Sequence, residues 1–206
     1  MRAADLALVE LLDFVPAEGR ITLRDRRMLL WDADAFGNLR RELIENLGAE
    51  VARGILRRFG FANGYRDALS TKTLAEWPSD LEWWLTCPAL QAHQGKVRPE
   101  VKTLELDRAA GHFRLEVDWH GSYEAEQHLR VGGATELPAC WTLAGYASGF
   151  STAVMGEEVF VVEQQCRAQG HPRCVVVGQT RRAWGDAGAA IAREYQARDL
   201  AHELTE

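Results

Sequence analysis

Glu163 and Cys166 stand three positions apart, and Cys174 follows after the seven-residue run Arg167 to Arg173. Thiolate, imidazole and carboxylate are the usual donors to zinc, and four of them in a tetrahedron close a structural site. The run between the two cysteines reads as a hairpin-like loop joining two strands, so it can bring both thiols together. Cys140 and His171 are the candidates to complete such a set. C-x7-C is a weak motif, however, and the competing reading is two small buried hydrophobes beside a loop.

A second group of residues is aromatic: Trp83, Trp84, Trp119, Trp141, Tyr146 and Phe150. Helical spacing puts Tyr146 and Phe150 on one face. Core packing accounts for any one of these rings. Together they are also the makings of a closed apolar pocket with few polar groups, the usual form of a small-molecule site.

Catalytic arrangements find less support. A nucleophilic cysteine needs a base beside a low-pKa thiol, and none of the six histidines (His93, His112, His120, His128, His171, His202) stands in a catalytic signature. Gly-x-Ser-x-Gly and the phosphate-cradling Gly-x4-Gly-Lys-Ser/Thr loop are both missing. The zinc deaminase pattern fails because no close Cys pair follows a His-x-Glu. No catalytic residue is assigned.

Short turns and periodic segments must position these residues. Gly19 and the apolar positions Ile21, Leu23 and Met28 to Leu30 read as a hairpin. Asp34 is expected to cap a helix carrying Phe36, Leu39, Leu43 and Ile44 and ending at Gly48. A second helix is expected over 49–69, with Gly54, Gly60 and Gly64 weakening it or admitting a close neighbour. A third starts at Ser79-Asp80 and is expected to break near Cys87, ahead of Pro88. From Val97 the period changes to two. Phe113, Leu115, Val117 and Trp119 alternate with Arg114, Glu116 and Asp118, the pattern of a strand with one buried face. Ser122, Ala125 and Leu129 suggest a short helix, and 138–155 a buried one ended by Gly156. Strands are expected over 159–163 and 173–177. A last helix is expected from near Trp184, with Ile191, Tyr195, Leu200 and Leu204, continuing to the end. Helices followed by strands with packed helices give an α+β fold, and the short links favour antiparallel pairing.

The 206 residues include 24 Lys plus Arg and 30 Asp plus Glu, a net charge of −6. An acidic chain offers no footprint for a phosphate backbone, so direct nucleic-acid binding is not expected. Residues 137–156 carry no charge and are long enough to test as a membrane span. Hydroxyls, glycines and Pro138 dilute the run, and a buried soluble helix is the better reading. The N-terminus lacks secretory features. The chain is expected to be cytoplasmic, where Cys87, Cys140, Cys166 and Cys174 would stay reduced.

The run Trp119 to Glu126 (WHGSYEAE) and the run Pro138 to Phe150 (PACWTLAGYASGF) are specific. They resemble the N-terminal sensory domain of sigma-54-dependent activators that respond to phenols, toluene, xylenes and related aromatics. That domain includes a 4-vinyl-reductase-like module. Arg27 to Leu30, Arg40 to Glu42, Gly64 to Ala68 and the Glu163–Cys174 stretch extend the resemblance over nearly the whole chain.

The resemblance implies a structural zinc held by Cys140, Glu163, Cys166 and Cys174, which would staple the C-terminal half. It implies a small aromatic effector near Trp119. The second polar position of the site, His in phenol-responsive members, falls on Gln91 here, with His93 two residues on. Trp84, Val117, Tyr146, Phe150 and Val161 are the expected wall positions. Phenol is therefore less favoured than a larger or less polar aromatic. The resemblance further implies a homodimer and three parts: dimerisation residues 1–75, effector- and zinc-binding residues 76–180, and the start of a linker helix at 181–206. That helix would lead to ATPase and DNA-binding domains not contained in this chain. The readings that compete are a tetrapyrrole-handling or reductase-like enzyme and a ligand-free, zinc-stapled dimerisation module.

Overall fold

The computed structural model describes residues 2–5, 7–24 and 26–196. Two short 3-10 turns lead into three strands, β1 (Leu12–Val15), β2 (Arg20–Leu23) and β3 (Arg26–Met28), in the order β1-β2-β3, all antiparallel. The expected hairpin is thus two of three strands. Leu29 and Leu30 lie beyond it and are exposed.

Helix α1 (Ala33–Leu47) is capped by Asp32, whose carboxylate accepts from the Ala35 N–H at 2.6 Å. Asp34, the expected cap, instead sits in the first turn, where Arg130 and Gln127 donate to it. One glycine, Gly48 at φ 79°, separates α1 from α2 (Ala49–Lys72). Next come α3 (Asp80–Trp84) and α4 (Thr86–His93). The break falls at Leu85 rather than Cys87, because Pro88 occupies the first turn of α4, where its missing N–H costs nothing.

A four-stranded antiparallel sheet follows, built from β4 (Arg98–Asp107), β5 (His112–His120), β6 (Val159–Gln165) and β7 (Cys174–Thr180) in the order β4-β5-β7-β6. Helices α5 (Tyr123–Gly132) and α6 (Trp141–Met155) lie between β5 and β6 in the chain, and α7 (Asp186–Glu194) comes last. Helix α6 begins three residues later than expected, at Trp141, since Cys140 is its cap. Leu200 and Leu204, expected to extend the last helix, lie outside the described residues. The α+β class and the antiparallel pairing hold. Among the described residues no helix is long and apolar enough to cross a membrane.

The sheet's inner face, Phe113, Leu115, Val117 and Trp119 on β5 with Cys174 and Val176 on β7, packs against α6 in one core. Helix α6 is buried all round. It meets α2 with almost no space between backbones. A Cβ on Gly60 or Gly64 would overlap the carbonyl oxygens of Thr142 and Tyr146, and one on Gly145 or Gly149 would overlap those of Arg57 and Phe61. The glycines read in the sequence as weak points are what let the two helices touch.

Candidate functional site

Cys140, Glu163, Cys166 and Cys174 converge, with one ligand atom from each lying within 4.8 Å of the others, and all four are buried. The cap of α6 supplies Cys140. Strand β6 supplies Glu163, where a register irregularity between Glu163 and Gln165 takes up one extra residue. Cys166 follows the end of β6, and a 3-10 turn closed by Gly170 in the left-handed region (φ 91°) returns the chain to Cys174 at the start of β7. His171 is exposed and takes no part.

The sulfurs are separated by 3.6 Å (Cys140–Cys174), 3.7 Å (Cys166–Cys174) and 4.0 Å (Cys140–Cys166). These separations exceed a disulfide bond. They bracket the ~3.8 Å edge of a tetrahedron whose centre lies ~2.3 Å from each sulfur, the zinc–thiolate length. One Glu163 oxygen accepts from the Cys140 N–H at 2.9 Å, while the other is buried without a partner. Burial, then the Cys166 sulfur, pushes the Glu163 carboxyl up to about 8. Burial likewise pushes the Cys140 thiol up, whereas the hydrogen bond from Cys140 pulls the Cys166 thiol down. Three thiols and a carboxyl crowded in a dry site, with an orphaned oxygen among them, form a donor set suited to a divalent cation, which takes the place of the protons. Backbone N–H groups of Ala139 and Arg167 point at Cys166 Sγ (3.4 Å) and Cys174 Sγ (3.3 Å).

Beside this cluster lies an apolar crevice between α3–α4 and the inner face of the sheet. It is lined by Trp84, Cys87, Pro88 and Gln91 from the helices, by Pro99, Val101, Leu115, Val117, Trp119 and Val176 from the strands, and by Ala147 of α6. Its free space is on the order of one water molecule. Trp84, Gln91, Val117 and Trp119 are therefore brought together. Tyr146, Phe150 and Val161 lie in the surrounding core and not on the crevice wall. Tyr146 donates its hydroxyl to Asp67 at 2.8 Å, and its ring centroid lies 6.2 Å from that of Phe150. His93 is exposed on the far side of α4, with Nδ1 2.7 Å from the Ala89 carbonyl, and does not stand in for Gln91.

The indole N–H groups separate Trp119 from the other tryptophans. Those of Trp77, Trp83, Trp84, Trp141 and Trp184 donate to Thr71, Ala68, Ser151, Pro138 and Phe160. Buried indoles ordinarily find such partners. Among the described residues nothing accepts from Trp119, although its side chain is 2% exposed. Gln91, 1% exposed, makes only a weak contact from Nε2 to Cys87 Sγ at 3.8 Å. The crevice thus holds a free donor and an adaptable amide in an apolar surround. Cys87 and Leu115 were within reach of the sequence reading, one helical turn before Gln91 and one strand period before Val117. Pro99, Val101, Ala147 and Val176 reach the site through tertiary pairing alone.

Residues 7–107 match a family described as activator of aromatic catabolism, and residues 119–180 match the 4-vinyl-reductase-like domain. The chain is similar to the transcriptional regulatory protein XylR of Pseudomonas putida, 35% identical over 176 residues covering 85% of this chain and 31% of that protein. It is similar to the phenol regulator MopR of Acinetobacter guillouiae, 35% identical over 184 residues covering 89% of this chain and 33% of that protein. The chain spans about a third of the length of both relatives. A crystal structure of the phenol-responsive sensory domain of the transcription activator PoxR with phenol superposes with a TM-score of 0.89 at 37% identity, covering 93% of this chain and 94% of that one. The chain belongs to the family of sensory domains of aromatic-responsive transcription activators.

Proposed function

We propose that this chain binds a small aromatic compound in the crevice at Trp119. In its full-length protein, that binding would relieve restraint on an ATPase domain. The observation that carries the reading is the uncommitted Trp119 N–H in an otherwise apolar, closed site. Gln91 sits in the same crevice as the second polar group, in place of a more basic imidazole. Trp84 and Val117 shape the walls. Alkylbenzenes and biaryls suit this set better than phenol, since Gln91 gives up its donor to Cys87 and supplies no base. Binding must open the crevice, whose present free space is far below the ~300 Å³ of typical ligand pockets.

The second part of the reading is a structural zinc on Cys140, Glu163, Cys166 and Cys174, supported by the sulfur spacing and the orphaned Glu163 oxygen. Four protein donors leave no open position, so the ion would tie α6 to the β6–β7 connection and do no chemistry. The third part is a symmetric homodimer through residues 1–75. Leu29, Leu30 and Trp31 are exposed in succession, and Trp31 leads into Phe36 and Phe59 with ring centroids 6.4 and 5.8 Å apart. A contiguous apolar patch of this kind marks an interaction surface. Residues 76–180 would carry the effector and metal sites, and 181–206 the start of a linker to ATPase and DNA-binding domains.

Calorimetric titration with toluene, m-xylene, biphenyl and phenol tests the effector reading. Saturable binding of at least one, abolished in Trp119→Ala, is expected. Unchanged binding in that variant would place the site elsewhere.

A further inference from the structure

The backbone from Trp119 to Glu124 runs from the crevice to the metal cluster, and two of its side chains end there. Ser122, fully buried, accepts from the Ala125 N–H at 3.3 Å, which leaves its own hydrogen free for Cys140 Sγ, 3.0 Å away. Glu124, 2% exposed, lies across the N-terminus of α6. Its two oxygens accept from the Thr142 N–H at 2.9 Å and the Leu143 N–H at 2.8 Å. Those are the first N–H groups after Cys140 in need of a cap, and Cys140 itself provides none. Glu124 is held in turn by Arg40 of α1, whose Nη1 is 3.2 Å away and whose guanidinium lies 3.7 Å over the Trp141 ring.

We propose that Ser122 and Glu124 are positioning residues for the metal centre. Ser122 would donate to the Cys140 thiolate and fix its lone pairs. Glu124 would cap the first turn of α6 and so fix where Cys140 stands. Neither would touch the ion. Groups of this outer kind typically change metal affinity by about 10–100-fold when removed. Both residues lie on the six-residue stretch that begins with Trp119, so the effector site and the metal site would share one length of backbone.

The inference rests on the metal reading above. The test measures zinc transfer from the intact chain to 4-(2-pyridylazo)resorcinol, and the absorption of the cobalt-substituted protein. Ser122→Ala and Glu124→Gln are expected to release zinc about 10–100-fold faster than the parent. Ser122→Ala should also shift the thiolate-to-cobalt charge-transfer band, which a merely structural role would leave in place. Ser122→Thr, which restores the hydroxyl, should return both rate and band. If Glu124→Gln fails to fold, the Ser122 pair still decides. Folded Ser122→Ala with the parental release rate and cobalt band would overturn the proposal. A parent chain that takes up neither ion would overturn the metal reading, and this one with it.

Discussion

Trp119 and Cys174 are cross-strand partners, paired in register between β5 and β7. Directly opposed residues in an antiparallel pair share a sheet face, with Cβ atoms ~5 Å apart. The free indole of the crevice and one sulfur of the metal cluster therefore stand side by side. Whatever fixes Cys174 also fixes the rim of the effector site.

From this adjacency, loss of metal is expected to be felt at Trp119. Cys140→Ser, or extraction with a strong chelator, should remove one zinc per chain. Surrendering ~4 kcal/mol of binding energy lowers the unfolding midpoint of a chain this size by roughly 8–16 °C. Metal analysis beside scanning calorimetry checks both. A well-folded parent with no zinc would refute it. Cys87→Ala should leave the zinc content unchanged, since that thiol belongs to the crevice.

Gln91→His is expected to favour hydroxylated effectors. An added hydrogen bond to a buried hydroxyl contributes roughly 0.5–1.5 kcal/mol, and relieving an unpaired one about 1–3 kcal/mol. Phenol should thus gain about five- to a hundredfold in dissociation constant, at ~1.4 kcal/mol per tenfold. Toluene should change little. Calorimetry with the two ligands separates this from a change in shape, which would tighten both equally.

The dimer reading places its weight on Trp31 and its neighbours. Leu30→Glu combined with Trp31→Glu should convert a particle of twice the chain mass into one of single mass by light scattering. Both side chains are exposed in one chain, so the fold should survive, and the circular dichroism spectrum should not change.

Stability should fall on the acid side through His128. Burial, with Arg40 adding to it, lowers the pKa of this imidazole from its ordinary 6.5. The folded chain then binds fewer protons than the unfolded one as pH drops below about 6.5, and stability is lost progressively through that range. Urea midpoints at pH 7.5 and 5.5 should differ by less in His128→Gln than in the parent.

Much of this was legible in the residues themselves, for physical reasons that differ from element to element. The strict alternation of Phe113 to Trp119 identified β5 and its inner face, because a half-buried strand leaves no other pattern. The charge-free 137–156 run announced α6, but not its start at Trp141, which depends on Cys140 turning into the metal cluster. Spacing alone left Cys140 and His171 both open as the completing ligand. Glu163 came from the resemblance, since one acid at a strand position carries no signal. The pairing of Arg40 with Glu124 was not legible at all: two charges far apart in the chain obey no local period. His93 was a proximity error along the chain, because two residues on a helix turn the side chain through more than half the circle.

The glycine seam between α2 and α6 sets where the molecule can give way. Gly60, Gly64, Gly145 and Gly149 put carbonyl oxygens against helix backbone with no side chains between them. A joint made of main chain has no rotamers to change, so it cannot yield a little at a time. The sheet behind Trp119 is hydrogen-bonded on both sides of β5 and is similarly stiff. Room for a guest must then come from the α3–α4 cover, two short helices hinged at Leu85 and moored by Gln94 to Asp67 and by Lys96 to Asn63. One wall of the crevice works as a door because the other two are masonry.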